Sequence, residues 1–122
     1  MNVSDPILNP DEIPTPQPLH ILCVDDDTSV LNALKRLFHG EPFQVLTATS
    51  GKEGLAILEE CDSVGLILSD QRMSGMSGTA FLESAALLAP DTIRILLTGH
   101  ADLETAVTAV NQARVHRFFT KP

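Results

Sequence analysis

The stretch Leu66-Ile67-Leu68-Ser69-Asp70 is entered through Gly65 and left through Gln71-Arg72-Met73-Ser74-Gly75-Met76-Ser77-Gly78. A short apolar run between a glycine and a polar, Gly-rich loop has the signature of a fully buried strand. Asp70 then stands at the carboxyl end of a central strand, where open α/β sheets bind their ligands. A carboxylate there is a candidate nucleophile or metal ligand. The plainer role is to open the next turn, which Asp also favours. The neighbouring segments decide between the two.

Upstream, Leu19-His20-Ile21-Leu22-Cys23-Val24 reads as a first buried strand that runs directly into Asp25-Asp26-Asp27. Asp27 or Thr28 can cap a helix in which Val30, Leu31, Leu34, Leu37 and Phe38 recur at helical spacing, stopped by Gly40 and Pro42. Residues 43–48 make a second strand, and Ser50 caps a helix over 51–60. Downstream, a third helix over 78–89 turns Phe81, Ala85 and Leu88 inward and is closed by Pro90. A strand over 92–97 leads into Thr98-Gly99-His100. A helix over 102–112 places Leu103, Ala106, Val107 and Val110 on one face, and a strand over 115–120 leads to Lys121-Pro122.

Strands alternating with helices imply right-handed βαβ units and a parallel sheet covered on both faces. Five such strands predict a flavodoxin-like, doubly wound five-stranded parallel sheet of order 2-1-3-4-5. The final helix of that fold is absent from the sequence, so an apolar patch that favours self-association is expected beside the fifth strand. Residues 1–18 carry Pro6, Pro10, Pro14, Pro16 and Pro18 among polar and acidic residues, a composition that builds no core. They are expected to form a disordered leader to a single domain over 19–122.

Sixteen acidic against eight basic residues give a net charge of −8. That disfavours direct nucleic-acid binding, which depends on neutralising phosphates with Lys and Arg. No run approaches a membrane span and no secretory signature opens the chain, which makes the cytoplasm the expected compartment. Cys23 and Cys61 fit no metal or redox spacing, and Cys23 reads as a small buried hydrophobe.

Asp25 and Asp26, Asp70, Thr98 and Lys121 each follow the carboxyl end of a different strand, and in a parallel sheet those ends share one edge. The placement gathers three carboxylates, a hydroxyl and an ammonium in one crevice. Packed carboxylates repel and invite a cation, and an all-oxygen donor set suits Mg²⁺, which commonly bridges to phosphate oxygens. With the metal on one side, Lys121 on the other and Thr98 donating to a third oxygen, Asp70 is set to act as nucleophile in phosphoryl transfer.

At these residues the chain closely resembles the receiver domain of two-component response regulators. The motifs are Ile21-Leu22-Cys23-Val24-Asp25-Asp26-Asp27, Leu68-Ser69-Asp70-Gln71-Arg72-Met73, Leu96-Leu97-Thr98-Gly99 and Phe118-Phe119-Thr120-Lys121-Pro122, in family order over 19–122. The wording around Asp70 and Thr98 is similar to receivers of HD-GYP phosphodiesterases or hydrogenase-type activators.

The resemblance implies that Asp70 accepts a phosphoryl group from a sensor histidine kinase, a phosphotransfer protein or a small donor such as acetyl phosphate. It implies Mg²⁺ bound directly by Asp26, Asp70 and the Arg72 carbonyl, with Asp25 acting mainly through water. Thr98 and Phe118 hold the family's switch positions, which reshape the face of the fourth helix and fifth strand for an output domain, a downstream protein or a second copy. The Lys121–Pro122 bond is usually cis in the family. Such a domain is not a conventional enzyme, because it catalyses only its own phosphoryl transfer and autodephosphorylation.

Four features bear on this resemblance. Ser74 stands where the family often has Pro, which predicts a looser loop. Phe118 replaces a frequent Tyr, and the fifth helix, part of the usual dimer face, is missing. Arg72 and His100 sit where the family tunes phosphoaspartate lifetime. Two other readings stay open: a Mg²⁺-dependent aspartyl phosphohydrolase, for which no cap insertion is present, and a binding-only receiver that is never phosphorylated.

Overall fold

The computed structural model describes residues 19–99, 102–112 and 115–121. The leader over 1–18, His100 and the bond to Pro122 lie outside them. The chain order is β1 (Leu19–Val24), α1 (Thr28–Leu37), β2 (Phe43–Ala48), α2 (Gly51–Glu60), β3 (Val64–Asp70), α3 (Gly78–Leu88), β4 (Ile93–Thr98), α4 (Leu103–Asn111) and β5 (Arg117–Thr120). All neighbouring strands are parallel and the sheet order is β2-β1-β3-β4-β5, as the alternating pattern predicts. No helix among the described residues is long and apolar enough to cross a membrane.

The strand period of two divides the apolar residues between the sheet faces. Leu22 and Val24 of β1 join Ile67, Phe81, Leu82, Ala85, Leu96 and Ala106 in the larger core. Ile21 and Cys23 turn the other way and meet Leu31 of α1, with Leu66 and Leu68 only half-buried beside them. Phe119 on β5 is 51% exposed, and Val110, Phe118 and Phe119 line a hollow there together with His116 and Arg117.

Several element boundaries differ from the sequence expectations, for local reasons. β3 starts at Val64 rather than Leu66, because Val64 pairs with His20 of β1, while Thr92 Oγ1, just before β4, donates to the Val64 carbonyl at 2.8 Å. β5 starts at Arg117 rather than 115, since Val115 is buried off the sheet and His116 donates its N–H to Arg94 O at 2.8 Å. Leu37 belongs to the apolar stripe by spacing, yet it lies 69% exposed at the end of α1.

The register brings the functional ends level. Val24 pairs with Ala48 and Ser69, Asp70 with Leu97, and Thr98 with Thr120. The loop after Asp70 is then drawn back over the strand end: Gly78 N–H donates to Gln71 O at 2.9 Å, and a Cβ on Gly78 would sit 2.1 Å from the Asp70 carbonyl oxygen. Only a glycine allows this approach. Gly78→Ala is therefore expected to destabilise the fold by about 2–3 kcal/mol, at the upper end for overpacking. Urea unfolding checks this, and a value close to wild type would contradict the approach.

Candidate functional site

The acidic cluster is built from two strand ends. Asp25 is buried just past β1, and its Oδ1 accepts the Asp27 N–H at 2.9 Å. Asp27 is not part of the cluster. It caps α1, accepting the Ser29 N–H at 2.9 Å and the Ser29 hydroxyl at 2.6 Å, and these bonds hold its carboxyl below the usual range. Asp26 is exposed and Asp70 is buried at the end of β3. Asp25, Asp26 and Asp70 each offer one carboxylate oxygen within 4.8 Å of the others.

Lys121 closes the cluster from β5. Its Nζ lies 2.6 Å from Asp70 Oδ1 and 3.7 Å from Asp25 Oδ2. The first is a short charge-assisted hydrogen bond; the second is electrostatic proximity only. Partial burial pushes the Lys121 ammonium down, but the carboxylates of Asp70 and Asp25 outweigh it and the net direction is up. Asp25 Oδ2 is buried with no hydrogen-bond partner. Burial raises the Asp25 carboxyl above its usual range; the Asp27 N–H and Lys121 oppose the rise, and Asp70 and Asp26 add to it.

With all three carboxylates ionised, one ammonium leaves two negative charges unmatched. A divalent cation balances them, and Asp25 Oδ2 is a buried acceptor in need of a partner. The donors are all oxygen, which suits a hard ion such as Mg²⁺. The residues present fit a divalent metal.

Thr98 lies at the same edge, fully buried, but its hydroxyl donates to the Gly99 carbonyl at 3.2 Å. The same carbonyl accepts the Asp102 N–H at 3.1 Å. Arg72 turns its guanidinium away from the cluster and grips Asp102 at the start of α4, Nε to Oδ2 at 2.8 Å and Nη2 to Oδ1 at 3.3 Å. Asp102 therefore makes no side-chain cap bond to α4. The charge of Arg72 is committed to α4.

Two contributors, Gln71 and Gly78, were not singled out from sequence, and a third, Ser74, was read for a different role. Gln71 Oε1 accepts the Thr79 N–H at 2.9 Å and ties the loop after Asp70 to α3. Gly78 permits the close approach already described. Ser74 donates its N–H to Asp26 Oδ2 at 3.1 Å, a contact that ties this loop to the cluster. Proline has no N–H to give, so serine supplies a tether that the family's common residue cannot. Only the Gly-rich spacing of the loop hinted at this packing.

A profile of the response regulator receiver domain matches residues 21–122. The chain belongs to the response regulator receiver domain family. Its receiver domain is 38% identical over 102 residues to the hydrogenase transcriptional regulatory protein HoxA of Cupriavidus necator, covering 84% of this chain and 21% of that protein. Among solved structures, it superposes on one described as an adenylate cyclase from Rhodopirellula baltica with a TM-score of 0.83 and 44% identity, covering 87% of this chain and 78% of that one. It also matches the signal receiver domain of an HD domain-containing protein from Pseudomonas fluorescens Pf-5, with a TM-score of 0.79 and 30% identity over 87% of this chain and 84% of the other. The chain spans about a fifth of the length of the curated relatives it matches. The function of the family is phosphorylation-dependent signalling in two-component systems.

The raised Asp25 carboxyl makes a signed prediction. The folded state holds this proton to higher pH than the unfolded chain, so Asp25's contribution to stability falls as pH rises from the ordinary Asp range through the raised value. A divalent cation such as Mg²⁺ held there would select the ionised form and gain affinity over the same window. Calorimetric titration in buffers of different ionisation enthalpy should show proton release on Mg²⁺ binding inside that window and none well above it. Equal proton release at both would contradict the assignment.

Proposed function

We propose that Asp70 is the phosphoryl acceptor of this receiver domain and that Mg²⁺ is its cofactor, held by Asp25, Asp26, Asp70 and the Arg72 carbonyl. The observation that carries the reading is the short Lys121–Asp70 pair beside carboxylate oxygens of Asp25 and Asp26. Bound there, Mg²⁺ supplies positive charge to the phosphoryl oxygens.

Lys121 holds Asp70 Oδ1 and leaves Oδ2 as the attacking atom. Oδ2 forms the new O–P bond as the donor's P–N bond, or P–O bond in acetyl phosphate, breaks; the leaving group departs with the electron pair. Burial of Asp70 keeps bulk water from that carboxylate. The Thr98 hydroxyl exchanges the Gly99 carbonyl for a phosphoryl oxygen, and this frees one of the two donors that the carbonyl holds. Asp102 is the other donor and is also gripped by Arg72, so the change at Thr98 reaches the start of α4.

The donor is a sensor histidine kinase or a phosphotransfer protein. The α4–β5 surface, with exposed Phe119 and the hollow it shares with Val110 and Phe118, is where an output domain, a downstream protein or a second copy reads the state. Similarity to HoxA supports a transcriptional output, and the net charge of −8 argues against DNA contacts made by this domain itself. Two free cysteines fit a reducing cytoplasm.

Intact mass after incubation with acetyl phosphate and Mg²⁺ should show one added phosphoryl group. Asp70→Asn should abolish it, and Lys121→Ala or Mg²⁺ removal should reduce the rate by at least about tenfold. A phosphoryl group retained in Asp70→Asn would overturn the assignment. No gain in the wild type would favour a binding-only receiver.

A further inference from the structure

A second polar cluster lies at the opposite edge of the sheet, where β1 and β3 begin. His20 of β1 pairs in register with Gln44 of β2 and Val64 of β3, and its backbone N–H donates to Ser63 O at 3.0 Å. Its ring Nε2 lies 3.0 Å from Gln44 Oε1. An amide oxygen only accepts, so in the neutral ring Nε2 carries the proton and Nδ1 is left as the base. Nδ1 is 2.5 Å from Ser63 Oγ and 3.8 Å from Cys61 Sγ, while Ser63 Oγ and Cys61 Sγ are 3.5 Å apart. The thiol proton has two routes to the imidazole, directly and through the serine hydroxyl.

Cys61 is half-buried at the C-cap of α2 and lines a cavity of about 230 Å³ with Asp62, Leu88, Pro90 and Asp91. Asp62 and Asp91 stand at the cavity's rim beside the negative end of the helix. The buried Arg94 guanidinium donates to the Pro90 and Thr92 carbonyls of its wall, so the acidic character lies at the mouth. The cavity has room for a small aminothiol fragment, and its mouth repels an anionic one. Cys23 offers a contrast within the same chain: it is fully buried, and burial pushes its thiol up to about 11.

We propose that Cys61 is a modification site for cationic low-molecular-weight disulfides, with His20 as the general base for its thiol, Ser63 as proton relay and Gln44 as the residue that orients the ring. Cys61 Sγ attacks one sulfur of the reagent R–S–S–R, and the new S–S bond forms as the old one breaks. The Cys61 proton passes to His20 Nδ1 and from there to the departing RS⁻, which leaves as RSH. The product is a mixed disulfide at the C-cap of α2, just ahead of β3, the strand that ends in Asp70. This assignment is independent of the acceptor chemistry.

The test is intact mass and peptide mapping after exposure of the reduced chain to cystamine or to glutathione disulfide at matched concentration. One cysteamine adduct is expected, confined to Cys61, absent in Cys61→Ser, and formed about tenfold faster than the glutathione adduct because of the acidic mouth of the cavity. The double variant Asp62→Asn/Asp91→Asn should erase most of that preference. His20→Asn keeps an acceptor but no base and should slow the reaction by roughly tenfold; Ser63→Ala, which leaves the strand pairing intact, should slow it less. Labelling of Cys61 at an equal rate with both reagents would overturn the proposal. So would a rate unchanged in both His20→Asn and Ser63→Ala, or no adduct at all. Melting curves of each variant separate loss of the base from loss of the fold.

Discussion

Three carboxylates converge at one edge of the sheet with a single ammonium among them, and much of the site's structure answers the repulsion this creates. At separations under 4.8 Å and an effective dielectric near 20, each ionised pair costs about 3–4 kcal/mol. The surrounding bonds distribute that cost. Lys121 takes Asp70, the Asp27 N–H takes one oxygen of Asp25, and the Ser74 N–H takes one of Asp26. Asp25 Oδ2 alone is left buried without a hydrogen-bond partner. A parallel sheet makes this arrangement possible, because it delivers every strand end to the same edge.

The same geometry links the loop after Asp70 to α4. Arg72 follows Asp70 by two residues yet pairs with Asp102, and Asp102 shares the Gly99 carbonyl with the Thr98 hydroxyl. Exposed ion pairs contribute little to stability, and the Arg72 side chain is 73% exposed. Such a pair gives at little cost when Thr98 changes partner, which suits a contact that joins two conformations. On the proposed reading, phosphorylation of Asp70 would act as a local charge event that biases a two-state element.

The strand and helix pattern was legible because the apolar periods are clean. The boundaries of β1, β2 and α2 follow directly from apolar runs and from Ser50 as a cap. Asp25, Asp26, Asp70 and Lys121 could be placed together from topology alone, since each follows a strand. Side-chain commitments were not legible in this way. Nothing in the spacing of Arg72 showed that its guanidinium would leave the cluster for Asp102. Ser74 read as a missing proline rather than as a donor to Asp26, because a backbone N–H has no sequence signature. The His20–Cys61 contact joins residues 41 apart through the β1–β3 register and a helix end, and local pattern does not encode it.

Thermal unfolding of Asp25→Asn beside the wild type, with and without Mg²⁺, tests most directly whether the cluster is strained until a cation fills it. Asparagine keeps an acceptor for the Asp27 N–H and removes one buried charge. The account predicts that the variant melts above wild type without metal and that it loses most of the stabilisation by Mg²⁺. A variant that melts below wild type without metal and still gains as much from Mg²⁺ would contradict it.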